Sequence, residues 1–288
     1  MSDKVILCNW AVAFIDLLGQ GEQMNLVSQQ LEQGKEDAAV EGMKKIYIDH
    51  CDLYDSFERE HDSFHTRHLT TEFPNEASKK NYEQLRMCKL QYQRFSDSMM
   101  FFVPLRTDDN ENLAMRGVSH LMYTLAVFLP TFLAKGRPFR CGIDVGFGIE
   151  VKDGELCGPA VKHAYELESR IALYPRIVLG NGLLDYLHVV ENAYSGNSPR
   201  DIASREFAKQ CLKWITEDTD GYPIVHYLGK EMTSDQPKKD LHGLMSGALK
   251  FIEREHDRFR NEQNSKLAIR YALLRNYFET FATNWKTG

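Results

Sequence analysis

Ala-Val-Ala-Phe-Ile-Asp-Leu-Leu-Gly, residues 11–19, sets a carboxylate inside an apolar, β-rich run, and Arg-Phe-Ser-Asp-Ser-Met-Met-Phe-Phe-Val, residues 94–103, does so a second time. A carboxylate flanked by strand-like hydrophobic residues is desolvated at a cost. Asp16 and Asp97 therefore each need a counter-charge: a metal ion, a cation or a set of hydrogen-bond donors. Two such acids in one chain suggest a shared metal. The first run predicts a strand over residues 9–19, ending at Gly19 beside Gly21. Residues 89–105 read as a β-hairpin that bends at Ser96-Asp97-Ser98, with Asp97 at its tip.

Between these runs, residues 22–68 have a helical pattern, with Ala39, Met43, Ile46, Cys51 and Tyr54 near helical spacing and Gly34 and Gly42 as candidate breaks. Residues 64–80, polar and containing Pro74, read as a loop. Residues 110–133 predict an apolar helix closed by Gly136 before Pro138. A strand over 139–151 follows, carrying Gly142, Gly146 and Gly148. A helix opens at Pro159 and runs to about residue 173, and residues 176–180 form another strand. Strand pairs mixed with helices in this way indicate an α+β sheet with helices packed on it. Beyond Gly180 the chain reads as mainly helical (183–194, 203–214), with a strand over 223–228 and a charged helical tail over 241–285. The tail carries Leu249, Ile252, Phe259, Leu267, Tyr271, Leu274 and Phe278, so it should dock on its own core or on a second subunit. The expected division is a core over 1–180 and a helical extension over 181–288.

With 43% hydrophobic and 26% charged residues, the chain has the composition of an ordinary globular protein. A net charge of −6 without a Lys/Arg cluster gives a nucleic-acid partner no support. The six cysteines lie far apart, without C-x-x-C or zinc spacing, and are expected as reduced thiols. The start of the sequence lacks the apolar stretch of a signal peptide. The longest apolar stretch, residues 121–134, reads as too short and too interrupted by Pro130 to span a bilayer, so a cytoplasmic protein is expected.

Phe14-Ile15-Asp16-Leu17-Leu18-Gly19 resembles the first-strand Phe-x-Asp-Ile-x-Gly of class III nucleotide cyclases. Phe95-Ser96-Asp97 resembles that family's hairpin Gly-Asp, and residues 140–146, Arg-Cys-Gly-Ile-Asp-Val-Gly, its Arg-x-Gly-Ile-x-x-Gly strand. The resemblance covers residues 9–180. Within it, residues 158–178 are similar to the Gly-Pro-x-x-x-x-Ala-Tyr-x-Leu-Glu and Pro-Arg-Ile pieces of the bacterial Pycsar pyrimidine cyclases. The Gly-Gly-Asp-Glu-Phe hairpin of diguanylate cyclases is missing.

The resemblance implies a ferredoxin-like class III core with an antiparallel-rich sheet. It implies conversion of UTP, with CTP as the alternative, to the 3′,5′-cyclic monophosphate and pyrophosphate. The product would be a second messenger in antiphage defence, read by a separate effector protein. Two Mg²⁺ or Mn²⁺ ions would be held by Asp16, Asp97 and the Leu17 carbonyl, oxygen ligands of the type these ions prefer. Gly19 would let backbone amides approach the triphosphate at a helix N-terminus. Base selection would fall to Gln93, four residues before Asp97, with Arg94 beside it and Tyr54 on the helix bordering the pocket. Counting from Gly158, the family's transition-state Asn and Arg are replaced by Lys162 and Glu166. Arg170, one turn further on, is the candidate for phosphorane stabilisation, and Lys162 for a triphosphate contact. The competing reading makes Lys162, Glu166 and Arg170 a solvated stripe opposite Ala160, Ala164, Leu167 and Ile171. In a head-to-tail homodimer, each site would combine the metal acids of one subunit with base and transition-state groups of the other. The alternative function is a catalytically silent cyclase-like domain that binds a nucleotide or only dimerises.

Overall fold

The structure, a computed structural model, describes residues 5–64, 74–84, 90–95, 98–106, 113–152, 154–193, 196, 198–233 and 238–286. Strand β1 (Ile6–Leu17) leads into α1 (Gln20–Glu32) and α2 (Glu36–Phe64), then α3 (Glu76–Gln84), β2 (Gln91–Arg94) and β3 (Ser98–Pro104). Next come α4 (Ala114–Ala134), β4 (Phe139–Lys152), β5 (Glu155–Cys157), α5 (Pro159–Glu166) with a π turn (Leu167–Ile171), and β6 (Ile177–Leu179). The remainder is α6 (Asn181–Ala193), α7 (Pro199–Lys213), β7 (Ile215–Glu217), β8 (Pro223–Val225), α8 (Lys230–Thr233), α9 (Lys238–Asn261) and α10 (Ser265–Thr280).

The strands form one sheet in the order β2-β3-β1-β4-β6-β8-β7, with β5 paired to β4. All neighbours are antiparallel except β4 and β6. The expected α+β class with a mostly antiparallel sheet is what the molecule has. β1 and β2 run parallel with β3 between them, and β3 and β4 run parallel with β1 between them. The first four strands thus make two interleaved crossovers, bridged by α1–α3 and by α4.

Because side chains alternate along a strand, β1 serves two cores. Ala11, Ala13, Ile15 and Leu17 join the large core with Leu53 and Phe57 of α2, the buried face of α4 and residues of α9 and α10. Trp10, Val12 and Phe14 point the other way, against Met100, Phe102, Leu156, Ala160 and Ala164. That second face is covered closely because β4 presents glycines to it. A Cβ on Gly142 would collide with the Ala164 carbonyl and come within 2.6 Å of both Glu168 N and Leu167 Cβ. One on Gly146 would stand 3.2 Å from Ala160 Cα, and one on Gly148 2.9 Å from Trp10 Cδ1. Helix α5 therefore lies directly on the strand.

Several boundaries differ from the sequence reading. The long helix divides at Gly34. Gly42 stays inside α2, where a Cβ would sit 2.7 Å from Val27 Cγ2 of α1. Residues 76–80, read as loop, begin α3, whose start is capped by Asn75 Oδ1 accepting from Ser78 N at 2.8 Å. The α4 helix runs through Pro130 for 21 residues, long and apolar enough by length and composition to cross a membrane, but most of it is buried among the other elements. The 223–228 strand shortens to β8, and β7, too short to signal itself, pairs with it. The tail breaks at residues 262–264, where Gln263 takes φ +57° and Asn264 Oδ1 accepts from Leu267 N at 3.3 Å. It docks on its own core, with Ile252, Phe259, Tyr271, Leu274 and Phe278 buried alongside α4. The extension beyond residue 180 also contributes β7 and β8 to the sheet.

The glycine ridge predicts a contrast. Gly142→Ala should cost about 1–3 kcal/mol through overpacking. Gly21→Ala, where nothing lies within 4 Å of the added carbon, should stabilise α1 by up to about 1 kcal/mol. Urea melts of the two variants check this, and equal effects would contradict the close seating of α5.

Candidate functional site

Asp16 sits near the end of β1, opposite Ser98 of β3 and Arg140 of β4, on the sheet face that α5 covers. Arg140 donates to Asp16 Oδ2 from Nη2 at 3.0 Å and from Nε at 3.1 Å. Its Nε also lies 2.5 Å from Glu168 Oε1 in the π turn. The side chains of Glu168, Arg140 and Asp16 are 3%, 17% and 20% exposed, so the cluster grades from a buried acid to a solvent-facing one. A guanidinium thus supplies the counter-charge that Asp16 needs. Leu17, the next residue, has a buried side chain, and Leu18 N donates to Pro138 O at 2.8 Å. Gly19 then takes φ +89°, a left-handed conformation that glycine adopts without steric cost. It opens α1 without a side-chain cap.

Asp97 lies outside the described residues. The flanks of its turn are set by Phe95 N donating to Ser98 O at 2.9 Å. The expected base-selecting residues do not converge. Gln93 pairs with Met100, which pairs with Phe14, so Gln93 shares the face of Asp16. Its amide oxygen is buried without a hydrogen-bond partner among the described residues. Arg94, one residue on, points to the opposite face. There its guanidinium lies 4.6 Å from the Tyr54 ring and 5.7 Å from the Tyr92 ring, with Nη1 3.9 Å from Cys51 Sγ. Arg94 and Tyr54 thus belong together, on the sheet face opposite Asp16 of the same subunit.

Lys162 and Arg170 are exposed, while Ala160 and Ala164 are buried, so the solvated stripe exists. Arg170 Nη1 pairs with Glu166 Oε1 at 3.3 Å. Arg170 lines a cleft of about 550 Å³ with Asp144, His163, Glu166, Asn181 and Tyr222. At its floor Asp144 Oδ1 accepts from Val145 N at 2.8 Å and from Leu183 N at 3.0 Å, the latter in the first turn of α6. Arg176, a second arginine that could have met phosphate, is instead buried against Asp218 and Asp220, at 2.6 Å each, and over the Tyr174 ring.

The sequence reading missed Glu168 and Asp144. Among the described residues no group of three His, Cys, Asp or Glu side chains is arranged to hold a metal. Against protein-family models and curated proteins, the chain matches none.

Two outcomes follow. Arg140→Gln strands the buried Glu168 and should cost about 3–5 kcal/mol, measured by denaturant unfolding. Adding Glu168→Gln should restore part of that loss, and purely additive costs would dismiss the pairing. Burial pushes the Asp144 carboxyl above its ordinary 3.8, against backbone amides of Val145, Leu183 and Gly182 and the nearby His163. The folded state then holds this proton to higher pH than the unfolded chain, so ionisation costs stability. That cost is absent below the ordinary value and complete above the raised one. Asp144→Asn should therefore gain stability relative to the wild type between about pH 4 and about pH 7. Urea melts at both pH values test it; a constant difference would rule it out.

Proposed function

We propose that the chain is a class III-like pyrimidine nucleotide cyclase with a ferredoxin-like core, acting on UTP, or on CTP as the alternative, in a head-to-tail homodimer. The observation that carries this reading is the position of Asp16. It stands at the end of the central strand of an antiparallel β2-β3-β1-β4 array, beside the β2–β3 hairpin and just before the uncapped, glycine-opened α1. This strand order and its two crossovers match the ferredoxin-like pattern.

Asp16 fits a hard divalent ion: it is a partly exposed carboxylate at a strand end, on the face that also presents Ser98 and Gln93. Asp16, with the Leu17 carbonyl and Asp97, would hold Mg²⁺ or Mn²⁺. Two such ions, when bound, would lower the pKa of the ribose 3′-hydroxyl and neutralise the triphosphate. The protein's own groups do the rest. Gln93 presents an amide that can donate or accept at the pyrimidine edge. The uncapped amides of α1 beyond Gly19 would be available to the phosphates. Arg140, anchored by Glu168, offers its fork to phosphate oxygen once Asp16 is otherwise engaged. Lys162 and Arg170, exposed on their own subunit and Arg170 paired, among the described residues, only with Glu166 of the preceding turn, would serve a second subunit's site. The cyclic product would act as a second messenger for a separate effector protein in antiphage defence, within the cytoplasm.

A second reading, a catalytically silent nucleotide-binding or dimerisation domain, is favoured by the Asp16–Arg140 pair and by Lys162 and Glu166 at the transition-state positions. Incubation with each of the four ribonucleoside triphosphates and Mn²⁺ or Mg²⁺, followed by chromatography, separates the two. A cyclic pyrimidine monophosphate is expected. Asp16→Ala should reduce it by more than about a hundredfold, since the outer partners of a metal ligand alone are worth 10–100-fold. No cyclic product from any substrate would sink the enzyme reading, and an active Asp16→Ala variant the metal assignment. Arg94→Ala should leave the UTP-to-CTP preference unchanged, whereas Gln93→Glu should alter it.

A further inference from the structure

We propose that the cleft between α5 with its π turn and the start of α6 is a ligand site distinct from Asp16. It takes a small organic ammonium ion, with the charged nitrogen on Asp144 Oδ2 and the apolar body along the π turn. At about 550 Å³ the cleft has the capacity of a small-molecule site. Asp144 pairs with Val12 of β1 and Arg140 with Asp16, so roughly 13 Å of strand separates the two positions along β4. The seat of the acid is made of backbone. Gly180 and Gly182 flank Asn181 where β6 passes into α6, and a Cβ on Gly180 would collide with the Asp144 carboxyl, one on Gly182 with the Val145 carbonyl. The turn therefore lies directly on the side chain. Oδ1 accepts from Val145 N at 2.8 Å and from Leu183 N at 3.0 Å, with the Gly182 amide close by. The side chain is only 9% exposed, so burial and these amides fix its orientation.

Oδ2 is the oxygen left over. Its one ionisable partner among the described residues is His163 Nδ1, at 3.8 Å too far for a hydrogen bond. Arg170, the arginine of the cleft, is already paired with Glu166 at 3.3 Å. The walls thus carry two carboxylates, Asp144 and Glu166, against one committed guanidinium, a balance that favours a cation over a phosphate or a carboxylate. A buried carboxylate is desolvated at a cost, and a positive nitrogen at Oδ2 offsets it. A metal ion fits less well, because among the described residues no group of three His, Cys, Asp or Glu side chains is arranged to hold one. The rest of the lining suits the body of an organic cation. Leu167 and Ile171 of the π turn are partly buried against the large core, and Tyr222 and Pro223 line the same cleft. One buried acid set among apolar walls is the usual make-up of a small-molecule site.

The test is NMR titration of the wild type and Asp144→Asn at neutral pH with phenethylamine, phenethyl alcohol and hydrocinnamate, probes that share a ring and carry a cationic, a neutral and an anionic head. The wild type should bind the amine about tenfold or more tightly than the alcohol, the value of a charge-assisted hydrogen bond, and hydrocinnamate most weakly. The His163 imidazole signals should move as the amine binds, since that ring stands over Asp144. In Asp144→Asn the preference for the amine should fall below about twofold, with the affinity for the alcohol little changed. Equal affinities for amine and alcohol in the wild type overturn the proposal before any variant is made, and so does a wild type that binds none of the three. A preference that survives Asp144→Asn overturns it too, as does amine binding that leaves His163 unmoved. None of these readouts requires turnover of a nucleotide, so their result stands apart from the cyclase reading.

Discussion

The bare ridge of β4 is the constraint on which the site depends. Gly142 and Gly146 leave gaps in the side chains on one face of the strand, and α5 with its π turn sits in them, while Gly148 makes room for Trp10 and Leu156. Only this closeness lets Glu168, a π-turn residue, reach Arg140 at 2.5 Å. The same seating lets His163 of α5 stand over Asp144 in β4, Nδ1 3.8 Å from Oδ2. Two ionic residues of β4, Arg140 and Asp144, share the face of the glycines by strict alternation. A side chain at Gly142 or Gly146 would lift the helix and separate charges that burial has made mutually dependent.

The sheet thereby divides its labour by face. One side packs α2, α4, α9 and α10 into the large core. The other carries Asp16, Gln93, Arg140 and Asp144, with a small apolar cluster around Trp10, whose Nε1 donates to the Gly148 carbonyl at 3.2 Å. The second half of the chain is tied to this arrangement by charge as well as by strands. Arg176, just before β6, is buried between Asp218 and Asp220 of the β7–β8 turn. Removing both partners would leave a desolvated cation, which ties residues beyond 180 to β6.

Legibility in the sequence followed the strength of local signals. The run around Asp16 is apolar on both sides because β1 is buried on both faces, so both the strand and its costly acid could be read directly. Strand β3 and the α4 helix, both largely buried and apolar, were visible for the same reason, whereas polar β2 was read only as the partner of β3. Gln93 and Arg94 show where reading fails: adjacent letters become opposite faces, and only the register with Met99 and Met100 tells which is which. Glu168 was hidden because it sits in a charged, helix-like stretch whose neighbours are solvated, and nothing local announces that a π turn will bury it. The break between α9 and α10 uses neither glycine nor proline, but a left-handed glutamine and an asparagine cap.

Asp16 began as an acid in need of a counter-charge, and the structure supplies one without foreclosing another. The side chains of its pair with Arg140 are only 17% and 20% exposed, so this is not a surface contact, and Arg140 and Asp16 depend on each other's charge. The Arg140–Glu168 pair behind it is buried, and breaking it by removing one partner costs about 3–5 kcal/mol. Arg140 therefore stays anchored whether or not it holds Asp16. The buried glutamate thus fixes the guanidinium, and the guanidinium in turn lets a carboxylate stand at the end of an apolar strand.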